Sequence, residues 1–189
     1  IAALGRLDFG SNRRAIEVLE RLGSVAKKTN DDVTMQNIVG AMFAIAHSAK
    51  CLKNSRFSNE LSVCLCDPGP GTQYQLATAL WQHADALPLT EITKVLGALE
   101  VIKSEHGGTL TQIDLALTKI WQAGHVTECI DFFAKLVQPL GKVDDEQFTN
   151  FLRAVLADTA RNLVDAYVMW FKPGAYILCD CVSSAFRRG

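Results

Sequence analysis

The sequence predicts an all-α protein, an α-solenoid of about four helix–turn–helix repeats of 35–40 residues in a single domain over 1–189. Three observations support this prediction. Nearly every segment places apolar side chains three and four positions apart, which is the spacing of one helix face. No run of alternating residues between hairpin turns indicates paired β-strands. Two segments 38 residues apart, QNIVGAMFAIAHSAK (36–50) and YQLATALWQHADAL (74–87), align at their apolar positions.

The first half of the chain predicts five helices with recognisable signals at their ends. Asp31 and Asp32 are cap candidates for the second helix. The stretch DPGPG at 67–71 is the clearest break in the chain. After it, Thr72 and Gln75 have the spacing of a capping box at a helix start. The five helices are expected over 12–28, 33–52, 57–65, 72–87 and 90–105.

The second half predicts helices over 111–123 and 126–137, divided at Gly124, and a further helix over 161–171. Another helix is expected to begin in the acidic run DDE at 144–146, because the N-terminal end of a helix dipole favours negative charge. The last helix begins near Ala175. Its segment AYILCDCV could also be a strand by composition, but no other segment offers a strand to pair with it.

Apolar positions on successive helices keep a common spacing. Equivalent positions recur at intervals of 38, 37 and 35 residues, and they hold Ile38, Leu76, Ile113 and Phe148. The repeats therefore begin near 32, 72, 109 and 145, with partial repeats at both ends. A single hairpin cannot bury its apolar face alone, whereas stacked hairpins bury it as a continuous core. The alternative is an irregular helical bundle in which helix pairs of average length recur at this spacing.

Helices of the form x-L-A-x-x-L-W-x-x-A-x-L appear in these repeats, and YQLATALWQHADAL fits best, with Leu76, Ala77, Leu80, Trp81 and Ala84 on the pattern. Such helices resemble the octatricopeptide and related repeats of organellar RNA-binding proteins, and those of animal mitochondrial proteins with a terminal RAP domain. The resemblance implies an α-solenoid in a mitochondrion or plastid that acts on RNA or is built into an organellar ribosome.

The later repeats depart from this pattern. Asp114 and Thr149 stand where the pattern has a small Ala, and Thr118 and Arg153 stand where it has Trp. No RAP-like domain is recognisable in the sequence. The resemblance is therefore carried mainly by residues 32–105.

The net charge of −1 predicts no global attraction to nucleic acid or to a membrane, but the charge is unevenly distributed. Residues 1–60 carry a balance of +3 and the rest a balance of −4. Clustered cations in the first third could bind phosphates through counterion release, and a solvated polar face is the alternative. The RNA-contact candidates are Arg13, Arg14, Arg21, Lys27, Lys28, Lys50, Lys53 and Arg56.

Two cysteine pairs, Cys64-x-Cys66 and Cys179-x-Cys181, could in principle supply four thiolates to zinc or an iron–sulfur cluster. Such sites usually have two residues between the cysteines, and in a solenoid pairs this far apart stay separate. We therefore expect buried structural thiols, no metal and no cofactor. The histidines have no metal-ligand spacing, and surface or capping roles are expected for His47, His83, His106 and His125.

No sequence feature predicts catalysis. The sequence GPG at 69–71 has no following Lys and is a linker rather than a phosphate-binding loop. Paired acids occur at predicted helix starts, where capping explains them. No apolar run approaches the roughly 20 residues of a transmembrane helix. We therefore expect no enzyme activity, no small-molecule substrate and no membrane contact.

The leading functional hypothesis is a structural subunit of a large ribonucleoprotein, such as an organellar ribosome, in the mitochondrial or another organellar matrix. Its partners would be protein subunits, with RNA contacted through the basic N-terminal third. One alternative is a free-standing RNA-binding repeat protein in organellar RNA processing. The other is a cytoplasmic protein–protein adaptor without RNA.

Overall fold

The computed structural model describes residues 1, 3–4, 7, 9, 11–102, 108–138, 148–158, 160–171 and 176–188. The described residues are helices joined by turns and contain no strand, which confirms the all-α prediction. The helices are α1 (Asn12–Ala26), α2 (Asp32–Ser48), α3 (Ser55–Cys64), α4 (Pro70–His83), α5 (Leu89–Ala98), α6 (Thr109–Gln122), α7 (Val126–Val137), α8 (Thr149–Ala157), α9 (Ala160–Phe171) and α10 (Tyr176–Arg188).

The final segment is the helix α10, so the strand alternative for AYILCDCV is wrong. Helix α10 packs against α7, α8 and α9, and it buries Leu178 and Val182 among them. The acidic run at 144–146, predicted to start a helix, lies outside the described residues.

The chain divides into two compact units, Ile1–Thr109 and Leu110–Gly189. In the N-terminal unit, α1 packs on α2 and α3, α2 packs on α3 and α4, and α4 packs on α5. Phe43 and Phe57 lie edge to face in its core, with ring centroids 5.4 Å apart. Helices α1 and α3 approach closely at Gly23, where an added Cβ would lie 1.8 Å from an Oε2 of Glu60.

In the C-terminal unit, α7 packs on α9, and α8 packs on α9 and α10. Its core is centred on Phe133, whose ring lies 5.0 Å from Phe148, 5.1 Å from Phe151 and 5.9 Å from Trp170, measured between centroids. The indole Nε1 of Trp170 donates a hydrogen bond to the carbonyl of Ile130 (3.3 Å), which ties α9 to α7.

Several helices end earlier than their apolar pattern predicts. In α2 the reason is a backbone hydrogen bond that terminates the helix before its apolar pattern ends. Helix α2 ends at Ser48, and Lys50 takes a left-handed conformation with φ of 55°. The N–H of Cys51 then donates to the carbonyl of Ala46 (2.8 Å), the bond that terminates a helix in this way. Gly124, with φ of 90°, divides α6 from α7 at the predicted place.

The predicted repeat register does not extend to α8. Ile38 and Leu76 each lie six residues after the first residue of their helix. Ile113 lies four residues after the first residue of α6, and Phe148 lies before α8 begins. The α-solenoid and the single domain therefore stay predictions, whereas the all-α class is established.

Asp32 holds the N-terminus of a helix other than its own. Its Oδ2 accepts a hydrogen bond from the N–H of Gly71 (2.7 Å). Its Oδ1 accepts from the N–H of Thr72 (3.0 Å) and from the hydroxyl of Thr72 (2.6 Å). Helix α4 begins at Pro70, and its own N-cap, Gly69, supplies no side-chain acceptor. The predicted capping box at Thr72 is therefore wrong, because the Thr72 hydroxyl donates to a neighbouring helix.

In the C-terminal unit, Asp114 likewise holds the N-terminus of a helix other than its own. Its Oδ2 accepts from the N–H and the side-chain amide of Asn150 (3.2 and 2.7 Å), and its Oδ1 accepts from the N–H of Phe151 (2.7 Å). The N-cap residue of α8, Phe148, supplies no side-chain acceptor. Asp114 is 3 % exposed, so a buried carboxylate on α6 satisfies the first turn of α8.

Candidate nucleic-acid interface

The eight predicted RNA-contact residues are all exposed, and they lie on α1, in the turn after it, in the turn before α3 and on α3. Helix α1 presents Arg13, Arg14 and Arg21 because its small and apolar residues occupy the opposite face, buried against α2 and α3. The helix begins at a standard N-cap, where Ser11 Oγ accepts a hydrogen bond from the N–H of Arg14 (3.4 Å).

Three of the eight cations are paired with carboxylates. Arg13 Nε lies 3.2 Å from Glu17 Oε1 within α1. Two further pairs connect α1 and its C-cap to α3. Arg56 Nη1 lies 2.7 Å from Glu20 Oε1, and Lys27 Nζ lies 4.0 Å from Glu60 Oε2. The charges of these three cations are locally balanced, so they are less available to a phosphate than the sequence alone predicted.

Arg14, Arg21 and Lys28 have no carboxylate partner among the residues that the structure describes. Arg14 and Arg21 are seven residues, about 10 Å, apart on one face of α1, and Lys28 lies in the turn that follows the helix. We call these three residues the α1 stripe. All three are exposed cations without a carboxylate partner in the described part of the chain.

Lys50 and Lys53 lie in the turn between α2 and α3. Lys50 occupies the left-handed position that ends α2, and both side chains are exposed. Neither lysine is paired with an acid in the described part of the chain.

The two cysteine pairs belong to different units and differ in burial. Cys64 is buried and Cys66 is exposed, so the two side chains of that pair face different surroundings. Burial, with a smaller contribution from Glu60, raises the pKa of Cys64 to about 12, which keeps its thiol protonated. Cys179 and Cys181 are both buried, and burial also raises the pKa of Cys179. No group of three or more metal-ligating side chains occurs among the described residues.

A serine, a glutamate and a lysine that sequence reasoning did not connect meet between α3 and α5. Ser58 Oγ donates to Glu91 Oε1 (2.6 Å), and Lys94 Nζ donates to both of those oxygens (2.9 Å each). A serine nucleophile needs its proton directed at a base that can accept it, such as a neutral lysine. Here the lysine is the donor, so Glu91 and Lys94 form an ion pair within α5 that Ser58 of α3 joins by hydrogen bonds, and the three side chains do not form a serine–lysine dyad.

Two of the four histidines come together across α2 and α4. The ring centroids of His47 and His83 lie 4.7 Å apart, with a 37° angle between the ring planes. The ring of His83 is also near Phe43, whose ring is parallel to it within 3° at a centroid distance of 5.8 Å. Both histidines belong to the last turn of their helix. Their separation of 36 residues in the sequence gave no signal of this contact.

No helix in the described part of the chain combines the length and the apolar character needed to span a bilayer. Comparison of the chain with protein-family models, with curated proteins and with solved structures finds no match. The interpretation of the exposed surface therefore depends on its own charges and geometry.

Proposed function

We propose that this protein is a non-enzymatic helical scaffold that contacts RNA through the α1 stripe as a subunit of a larger ribonucleoprotein. The observation that supports this proposal is the unequal pairing of the cations. Three of the eight cations are balanced by carboxylates, yet Arg14, Arg21 and Lys28 on α1 and in the turn after it have no carboxylate partner among the described residues. Exposed, unpaired cations of this kind suit the charges of a nucleic-acid backbone.

The scaffold part of the proposal is supported by the way consecutive helices pack in the N-terminal unit. Helix α2 lies against α4, and α1 lies against α3, so alternate helices are neighbours. This order is typical of stacked hairpins, which present long surfaces to partners. The small overall charge favours a subunit that is held by protein contacts as well as by RNA, because a free RNA reader is generally more basic. An organellar assembly is the setting that the octatricopeptide-like helices suggest.

The decisive experiment compares two triple variants of the full chain. One removes the stripe (Arg14→Gln, Arg21→Gln, Lys28→Gln), and the matched control removes the same number of paired cations (Arg13→Gln, Lys27→Gln, Arg56→Gln). Binding of a mixed-sequence single-stranded RNA is measured by fluorescence anisotropy over a range of salt concentrations. Each lost phosphate contact lowers the slope of log K against log salt by about 0.7, so the stripe variant should lose about 2.

The control variant should retain a larger part of the slope, because its cations already have partners. Equal losses in both variants would refute the role of the stripe. Salt-independent binding in the wild-type chain would refute phosphate contact through the stripe, and absence of binding would refute RNA contact and favour the protein adaptor. Sedimentation of the tagged protein from its own cells, with and without nuclease, tests the assembly. A small species that shifts only with a specific RNA would refute the subunit and favour an RNA-processing protein.

A further inference from the structure

The His47–His83 pair is the place where two imidazoles from different helices meet in the described structure. Helices α2 and α4 lie side by side, and the pair is at the C-terminal end of both. His47 is exposed and His83 is half-buried, so the site is open to solvent on one side. An ion could therefore reach the rings without a rearrangement of the core.

The distance between the rings fits ligation of one metal ion. A ring nitrogen bound to a zinc-like ion lies about 2.1 Å from it, which puts the ring centroid about 3.2 Å from the ion. Two rings that share an ion at an angle of about 90 to 110° then have centroids about 4.5 to 5.2 Å apart. The observed 4.7 Å lies in this interval. The planes of the two rings are tilted by 37°, so the rings are not stacked face to face.

The electrostatic setting also favours a cation. Each helix concentrates partial negative charge on its last free carbonyls, and the C-terminal ends of α2 and α4 are adjacent. Contact with Phe43 restricts the orientation of the His83 ring, which lowers the entropy lost when the ring binds an ion. One imidazole held against Phe43 and one exposed imidazole thus share a site at two negative helix ends.

We propose that His47 and His83 bind one divalent first-row transition-metal ion that prefers imidazole nitrogen, such as Ni²⁺, Cu²⁺ or Zn²⁺. Two protein ligands leave the remaining coordination positions to water or to a group from a partner. The site is distinct from a structural zinc site, which closes its ion with four protein ligands. A bound ion connects the ends of α2 and α4 and stabilises their packing.

The test is titration of the untagged, chelator-treated full chain with NiCl₂ by calorimetry. We expect one ion per chain, and we expect His47→Gln and His83→Gln each to weaken its binding by roughly tenfold or more, since each removes half of the protein ligands. His125→Gln is the matched control, because it removes a histidine from the start of α7 and should leave the affinity unchanged. Nickel should also raise the melting temperature of the wild-type chain and not that of the two site variants.

A second measurement does not depend on the variants folding. Addition of Zn²⁺ to the wild-type chain should shift the imidazole ¹⁵N resonances of His47 and His83 together, and leave those of His125 in place. Absence of nickel binding would overturn the proposal. Nickel binding that survives both site substitutions would also overturn it, because the ion would then be held elsewhere. Zinc shifts confined to one of the two rings would show that the rings do not share an ion.

Discussion

Replacement of Asp114 by alanine tests whether a carboxylate on one helix holds the first turn of another. The substitution removes three hydrogen bonds, two from the backbone N–H groups of Asn150 and Phe151 and one from the Asn150 amide. Asn150 is exposed, so water can replace the acceptor for its donors. Phe151 is fully buried, so its N–H loses its acceptor where water does not reach.

The expected cost follows from these two environments. An orphaned buried donor costs about 1 to 3 kcal/mol, and loss of a helix cap costs about 1 kcal/mol more. We therefore expect Asp114→Ala to lower the free energy of unfolding of the C-terminal unit by about 2 to 4 kcal/mol. The smaller change Asp114→Asn keeps one acceptor oxygen but turns an NH₂ group toward other donors, so about half of that loss is expected.

The assay is native-state amide exchange, because it reports α8 separately from the rest of the chain. The Phe151 amide should exchange roughly 30- to 800-fold faster in Asp114→Ala, at a factor of ten for each 1.4 kcal/mol. Asp131→Ala is the control, since Asp131 is exposed and pairs with Lys135 at the surface of α7 (3.5 Å). That control should change stability by less than about 0.5 kcal/mol. If Asp114→Ala exchanged no faster than the control, the reasoning about the carboxylate would be refuted.

Three further predictions concern single groups. Hydrogen bonds from Thr34, first from its hydroxyl and then from its N–H, lower the pKa of Asp31. Asp31 therefore stabilises α2 at pH values above its ordinary pKa, and this stabilisation is lost as the pH falls through the lowered pKa. Thr34→Val should raise that pKa toward 3.8 in a carboxyl NMR titration, and an unchanged pKa would contradict the assignment. A thiol reagent at pH 8 should modify Cys66 rapidly and Cys64 only on unfolding, as peptide mapping would show; equal rates would contradict the burial. Trp170→Phe should cost about 0.5 to 1.5 kcal/mol in urea unfolding, because it removes the buried hydrogen bond that ties α9 to α7, and a neutral result would mean that this bond contributes little.

Sequence patterns predicted the class of fold and most helix centres, because amphipathic spacing is a local property. Helix ends were less predictable, since the left-handed Lys50 and the early end of α2 depend on backbone hydrogen bonds that no residue type demands. The sequence predicted the cations of the basic surface, but it did not predict which of them pair with carboxylates. Whether Arg56 or Arg14 meets a carboxylate depends on which acids α1 and α3 bring into reach, and that is a tertiary property.

Asp114 shows most clearly why part of the fold could not be predicted from the sequence. In the repeat pattern, Asp114 is simply a carboxylate at a position where a small residue is expected. In the structure it accepts the second and third N–H groups of α8, as Asp32 accepts those of α4. Asp32 is the first residue of its helix, whereas Asp114 lies five residues into α6, so no fixed spacing relates the two.

The N-caps of α4 and α8 explain why these carboxylates come from a neighbouring helix. An added Cβ at Gly69 would lie 2.4 Å from Asp32 Oδ1, so the carboxylate occupies the space that a capping side chain would need. At α8 the N-cap side chain is Phe148, which is fully buried against Phe133 and cannot cap. A local cap forms in an isolated helix, but these caps form only when α2 has docked on α4 and α6 on α8. Formation of the first turn of α4 and α8 is therefore coupled to helix packing, which makes each unit more cooperative than its helix propensities alone would predict.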